Sequence, residues 1–263
     1  MVKTRTGETD YTISGEGPWL VLVHGLGMRR EMWAPLLPAL ERHYKVLTYD
    51  LGGHGLSPPP ADPVTLRSFS EQLLGLMDDV GIARAPLVGF SLGGMIVRRL
   101  AMDHPEHASA LVVIASPHGR TEAETAAVQT RVDQATAHGP AATIDAAIER
   151  WFNPAYRDAH PEAIALIRRA ILANDPKVYP KIYQVLVDGE PEVSAGLAAI
   201  RLPLLVLTGD ADPGNTVAMA QGMAACVPGA ELKVFGGLRH MGIWENPDTF
   251  TGAMLDFLKR RVT

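Results

Sequence analysis

The sequence predicts an α/β fold: a mostly parallel central sheet flanked by helices, with an inserted helical cap. Three observations carry this. Short Val/Leu/Ile runs alternate with helical patterns, the runs are of strand length, and most are apolar throughout rather than at every second residue. That is the signature of parallel strands covered on both faces and joined by crossover helices. The runs at 19–24, 44–50, 85–90, 110–116, 202–209 and 231–236 supply six strands of one sheet. The more polar stretch 3–14 leaves room for a short hairpin at the sheet edge.

The intervening segments fall into place in order. Between the second and third runs, Leu66, Phe69, Leu73, Met77 and Val80 recur at helical spacing, with Ser68 and Glu71 as a capping box. From about Pro117 to Pro191 the alternation stops and helical patterns follow one another at 122–137, 141–152, 161–173 and 176–187. Breaks at His138-Gly139-Pro140, Asn153-Pro154 and Asn174-Asp175-Pro176 separate them. This assigns 1–117 and 192–263 to the core and 118–191 to the cap, or lid. Asn246 and Pro247 form an N-cap and N1 pair for a last helix whose apolar face is Phe250, Met254 and Phe257.

Composition narrows the function. At 263 residues the chain accommodates one core with an insertion, and 47% hydrophobic with 20% charged residues is the balance of an ordered chain. A net charge of −5, with 24 Lys and Arg spread along the chain, leaves no basic footprint for nucleic acid. The apolar runs are too short to span a bilayer and the first residues lack a signal-type apolar run, so no membrane partner and a cytoplasmic location are expected. Cys226 is the single cysteine, which excludes an intramolecular disulfide and a cysteine-rich metal site, and it reads as a helix packing residue.

The strongest chemical signal is Gly89-Phe90-Ser91-Leu92-Gly93, with Gly94 after it, between a strand and a helical stretch. A serine there sits on a sharp strand-to-helix turn, its hydroxyl held above the sheet and close to the free N–H groups of a helix N-terminus. Serine becomes a nucleophile only beside a base, and the base is oriented by an acid. His240, alone among the histidines after Ser91, follows the last strand and is the candidate base. The loop Gly209-Asp210-Ala211-Asp212-Pro213 supplies the acid. Asp212 is the candidate because it lies further into that loop, whereas Asp210 adjoins the turn glycine and braces it. The other position for an acid, after 110–116, carries Pro117 and His118.

An oxyanion hole takes two backbone amides aimed at one point, here assigned to Leu92 and to Leu26 in His24-Gly25-Leu26-Gly27. His24 is read as fixing that loop by hydrogen bonds. Asp50-Leu51-Gly52-Gly53-His54-Gly55-Leu56-Ser57 lacks the spacing of a phosphate-binding loop and the ligands of a metal site, and is read as a structural turn. No metal or organic cofactor is expected.

Taken together, the 24–27 loop, the 50–57 turn, the 89–94 elbow, the 209–212 loop and His240 resemble the α/β-hydrolase superfamily over essentially the whole chain. Gly52 stands where an arginine or proline is commoner in it. More narrowly, Glu149-Arg150-Trp151-Phe152-Asn153-Pro154, His160-Pro161 and Asp175-Pro176 resemble the lid of 3-oxoadipate enol-lactonases, which open an enol-lactone of a short dicarboxylic acid in aromatic catabolism. His24-Gly25 departs from the Asn-Ser of close lactonase relatives. The resemblance implies a serine-nucleophile hydrolase of a carboxylic ester or lactone, with a small, anionic substrate. Arg150 is then the cap cation expected to bind the substrate carboxylate, with Trp151 beside it. The alternative at that helix end is a solvated cation and a core tryptophan. C–C bond hydrolases, general carboxylesterases and cofactor-free perhydrolases share the triad and remain open, as does a ligand-sensing protein of this fold.

Overall fold

Strands covered on both faces can be apolar throughout, and this sheet is built that way. The computed structural model describes residues 2–4 and 7–261. Its main sheet holds seven strands: β3 (Tyr11–Ser14), β4 (Trp19–Val23), β5 (Lys45–Tyr49), β6 (Ala85–Phe90), β7 (Ala108–Ile114), β8 (Leu204–Gly209) and β9 (Glu231–Phe235). Before it, β1 (Val2–Thr4) and β2 (Gly7–Thr9) pair antiparallel as a separate ribbon. The edge hairpin expected over 3–14 is therefore split: the ribbon stands apart, and β3 alone joins the sheet, antiparallel to β5. Residues 5 and 6 of that segment lie outside the described residues.

The strand order is β3-β5-β4-β6-β7-β8-β9, with every pair from β5 to β9 parallel. After β4 the chain steps to one side to make β5, then returns past β4 to make β6. The carboxyl ends of β4 and β6 are thus the point where strand order reverses, the place at which such sheets bind ligands. His24 and Ser91 follow those two ends.

Helices cover both faces. On one, α2 (Leu66–Val80), α3 (Leu92–Asp103) and α9 (Val217–Cys226) pack over Val21, Leu87 and Val113. On the other, α1 (Leu37–Leu40) and α11 (Pro247–Arg261), preceded by the short α10 (Gly242–Glu245), cover Leu22, Val88 and Val112. The helix over Leu66 starts one turn earlier than its expected capping box: Thr65 Oγ1 accepts from the Ser68 amide and Ser68 Oγ from the Thr65 amide. Burying Leu66 against the core sets that start. Gly81 closes the helix in the left-handed region, φ 79°. At the last helix, Asn246 Oδ1 accepts from the Thr249 amide, the expected cap.

Between β7 and β8 come five helices: α4 (Glu122–His138), α5 (Ala141–Trp151), α6 (Pro154–Ala159), α7 (Pro161–Leu172) and α8 (Tyr179–Ala195). Two differ from expectation. Asn153-Pro154, read as a break, opens α6 with proline in its first turn, where a missing N–H costs nothing. The helix expected to end at 187 runs through Pro191 to Ala195, so the 191/192 boundary falls inside α8. Val193, fully buried, and α8's packing on α3 hold the extra turns in place.

Candidate active site

Ser91 has φ 53° and ψ −114°, a conformation that a residue with a side chain adopts only when its surroundings enforce it. They do so on every side. Its amide donates to Ile114 O at 2.9 Å, and its carbonyl accepts from the Gly94 amide at 3.0 Å and from Ser116 Oγ at 2.8 Å. Ser116 Oγ is itself 3.1 Å from Arg98 Nη2, and the fully buried Arg98 also donates to the carbonyls of Gly94 and Pro117. Burial brings the Arg98 guanidinium down to about 10, against the opposing field of Glu190. The flanking glycines are required by space: a Cβ at Gly89 would lie 2.3 Å from Gly93 O, and one at Gly93 would lie 2.1 Å from Val23 O.

The carboxylate and imidazole meet as their loops suggested. His240 Nδ1 is 2.8 Å from Asp212 Oδ2, and both residues are buried. The other oxygen of Asp212 accepts from the amides of Gly214 (2.8 Å) and Asn215 (3.1 Å). Burial by itself would raise the Asp212 carboxyl, but His240 and the two amides outweigh it and hold the group below the usual carboxylate range. The Asp212–Nδ1 contact leaves Nε2 as the ring nitrogen not engaged by Asp212. Phe90 and Trp151 flank the imidazole, with ring centroids 4.8 and 5.8 Å away. Asp210 does what its position beside the turn glycine suggested, accepting from the Gly237 amide at 2.7 Å.

Two buried histidines set the loop after β4. The Leu51 amide donates to His24 Nε2 at 2.9 Å, and the Gly27 amide donates to His54 Nε2 at 2.9 Å. Each Nδ1 faces a carbonyl, of Gly25 and Gly52 respectively, so both rings are neutral with the proton on Nδ1. Burial lowers His24 to about 4 and His54 to about 3. The Asp50–Ser57 turn is accordingly a brace for the 24–27 loop. Within that loop Met28 N is bonded to Gly25 O and Gly27 N to His54, while no acceptor reaches the Leu26 amide among the described residues. Leu92 opens α3, so its amide has no acceptor within the helix, and its side chain is buried in the core.

Ser91, Leu26, Asp212, His240, Arg150 and Trp151 line one cavity of about 80 Å³. Four further lining residues with polar side chains escaped the sequence reading: Arg120, Arg131 and Tyr183 from the 118–191 segment, and Asn215, whose amide lies 3.2 Å from His240 Nδ1. The spacing of Asn215 from Asp212 was a visible signal. For Arg120, just before α4, and Arg131, within it, nothing local distinguishes them from exposed cations. Among the described residues no cluster of His, Cys, Asp and Glu could hold a metal ion, and no helix is long and apolar enough to cross a membrane.

Comparison with known proteins fits this geometry. A family model described as alpha/beta hydrolase fold matches residues 18–130. The chain is 29% identical over 251 residues to an (E)-2-((N-methylformamido)methylene)succinate hydrolase of Acinetobacter baylyi, covering 95% of this chain and 93% of that protein. It is 28% identical over 243 residues to 3-oxoadipate enol-lactonase 2 of the same organism, covering 92% and 89%. The crystal structure of the enol-lactonase from Burkholderia xenovorans superposes with a TM-score of 0.92 at 30% identity, covering 98% of this chain and 99% of that one. With the structural match extending over 98% of this chain at 30% identity, the chain belongs to the α/β-hydrolase fold family.

Proposed function

We propose that the protein hydrolyses a small carboxylic ester or lactone bearing a free carboxylate, through an acyl-enzyme on Ser91. The observation that carries this reading is the 2.8 Å contact between His240 Nδ1 and Asp212 Oδ2 in a cavity that Ser91 also lines. Ser91 Oγ adds to the carbonyl carbon while His240 Nε2 takes its proton, and the resulting imidazolium is held by Asp212. The amides of Leu26 and Leu92 receive the oxyanion. Collapse expels the alkoxide or enolate, which takes the proton from His240. Water, deprotonated by the same nitrogen, then attacks the acyl carbon and frees Ser91 and the acid.

Residues 118–191, extended to the end of α8, serve as the lid and bring Arg150 and Trp151 to the cavity. The relatives bear names that include a lactone and a methylenesuccinate derivative, and each pairs an acyl bond with a carboxylate. Arg150, half-buried and without a carboxylate partner among the described residues, suits the latter group.

The test is labelling by a fluorophosphonate followed by peptide mapping, beside turnover of 4-nitrophenyl acetate. Stoichiometric label on Ser91, with label and turnover both lost in Ser91→Ala, is expected. A Ser91→Ala protein that still labels and still turns over rejects the assignment. Label without multiple turnover favours the ligand-sensing alternative.

A further inference from the structure

Three arginines, Arg120, Arg131 and Arg150, line the cavity that Ser91 lines, and the carboxylate lining it is Asp212. Asp212 is committed to His240 and two amides. None of the three arginines has a carboxylate within ion-pair distance among the described residues. Arg120 Nη1 donates to Leu186 O at 2.5 Å, and Arg131 Nε donates to Tyr183 Oη at 3.1 Å. Glu190, whose field acts on Arg120 more strongly than that of Glu124, is already held by the Gly119 amide at 2.7 Å and by Ser194 Oγ.

A desolvated cation without a counter-ion is costly, and Arg120 and Arg150 bear that cost with the like charge of Arg131 beside the same cavity. The cost shows in the proton affinities. Burial lowers both Arg120 and Arg150, and the field of Arg131 lowers each further, so that the pull of Glu190 on Arg120 and of Asp212 on Arg150 is outweighed. A single carboxylate would neutralise one of the three. A ligand that satisfies the site carries more than one anionic group besides the acyl carbon presented to Ser91.

We propose that this cavity binds an ester or lactone carrying two free carboxylates, one held by Arg150 and the second by Arg120 and Arg131. The proposal rests on the hydrolase reading above and adds a second anion subsite to it. Each guanidinium offers a planar fork of donors that matches a carboxylate, and Tyr183 Oη, already a partner of Arg131, borders the same space. Hydrolysis of such a lactone, or of an ester with both carboxylates on its acyl part, leaves a tricarboxylate. The reaction that consumes it must accept a small, highly anionic polyacid.

Tricarballylate and glutarate form a matched pair of product mimics, since they differ only in the central carboxylate. Their inhibition of 4-nitrophenyl acetate hydrolysis is measured at neutral pH and fixed ionic strength. Tricarballylate should inhibit about 10- to 150-fold more tightly than glutarate, the effect of one added charge-assisted hydrogen-bonded group. In Arg131→Gln, and separately in Arg120→Gln, that ratio should fall to within about threefold. The ratio is taken within each protein, so a change in overall activity does not disturb it, and two variants guard against one that misfolds. Equal inhibition by the two acids in an enzyme that turns over the aryl ester overturns the second subsite alone. A ratio unchanged in both variants overturns its assignment to Arg120 and Arg131. If the aryl ester is not hydrolysed and Ser91 does not label, the hydrolase reading fails. Calorimetric titration of tricarballylate against glutarate then decides the anion site independently.

Discussion

The carbonyl of Trp151 accepts a hydrogen bond of 2.9 Å from the amide of Met241, the residue after His240. The last turn of α5 is thereby tied to the loop that carries His240. Around it, Glu245 Oε1 accepts from the Asn153 amide at 2.5 Å, Glu245 Oε2 accepts from Asn153 Nδ2 at 2.8 Å and from the Arg239 amide at 3.3 Å, and Arg239 Nη1 donates to Glu149 O at 2.6 Å. The end of α5 and the loop of His240 form one bonded unit at this corner, so Arg150 and Trp151 keep a fixed relation to His240.

Glu245→Ala removes the acceptor of three N–H groups at once and leaves those that are buried unpaired. The fold should lose about 2 kcal/mol, and kcat should fall with it as the imidazole loosens. Urea unfolding beside steady-state kinetics reads both. A variant of normal stability and normal kcat would show that the latch does not position His240.

The two carboxylates of the 209–213 loop separate cleanly. Asp212→Asn keeps the shape but favours the wrong imidazole tautomer, and kcat should drop about 10⁴-fold. Asp210→Asn keeps an oxygen for the Gly237 amide and should stay within about threefold of the parent enzyme. Steady-state turnover of 4-nitrophenyl acetate decides between them. The larger loss at Asp210 would mean that the acid has been assigned to the wrong residue.

The neutral His24 and His54 make stability depend on pH. In the unfolded chain both titrate near the ordinary value of 6.5, whereas the folded protein keeps them neutral down to about 4 and about 3. Below the unfolded value the unfolded state binds protons that the folded state refuses, so the contribution is full above about pH 6.5 and is lost as pH falls toward the folded values. Each ring steepens the loss by about 1 kcal/mol per pH unit in that window. His54→Gln, whose amide oxygen can accept from Gly27, should show a shallower decline of unfolding free energy between pH 7 and about 4.5 than the parent. Parallel curves for the two proteins would exclude this account.

Most of the sheet and the Ser91, Asp212 and His240 positions were legible because each is fixed by local chemistry. An apolar run bounded by turn residues can only be a buried strand here, and Gly89 is dictated by its contact with Gly93 O inside one strand-to-helix turn, whereas Gly93 is dictated by the carbonyl of Val23 on the neighbouring strand. What escaped depends on distant parts of the chain. Pro191 ends a helix by local rules, yet α8 passes through it because Val193 is buried and α8 packs on α3. Thr65 rather than Ser68 caps α2 because Leu66 is needed in the core. Arg120 and Arg131 look like exposed cations until α4, α5 and α8 bring them beside Arg150, and no spacing in the sequence encodes that meeting.

Arg150 offers the sharpest reading of substrate charge. It ends α5, where the helix C-terminus favours a cation, and Ile144, Ala147 and Ile148 on the same helix are buried, so the end of the helix is held firmly at the cavity. Were it only a solvated helix-end cation, its removal would act equally on all substrates and weakly. As a carboxylate partner it contributes one charge-assisted contact, made only with an anionic substrate. Arg150→Ala should therefore change the ratio of kcat/KM for a carboxylate-bearing lactone to that for a neutral aryl ester by about 10- to 150-fold, against the lactone. Raising the salt concentration should shrink the parent enzyme's ratio and leave the variant's nearly flat, because the attraction being screened is gone. A ratio that does not move on substitution would remove Arg150 from substrate recognition and leave Arg120 and Arg131 to account for any preference for anions.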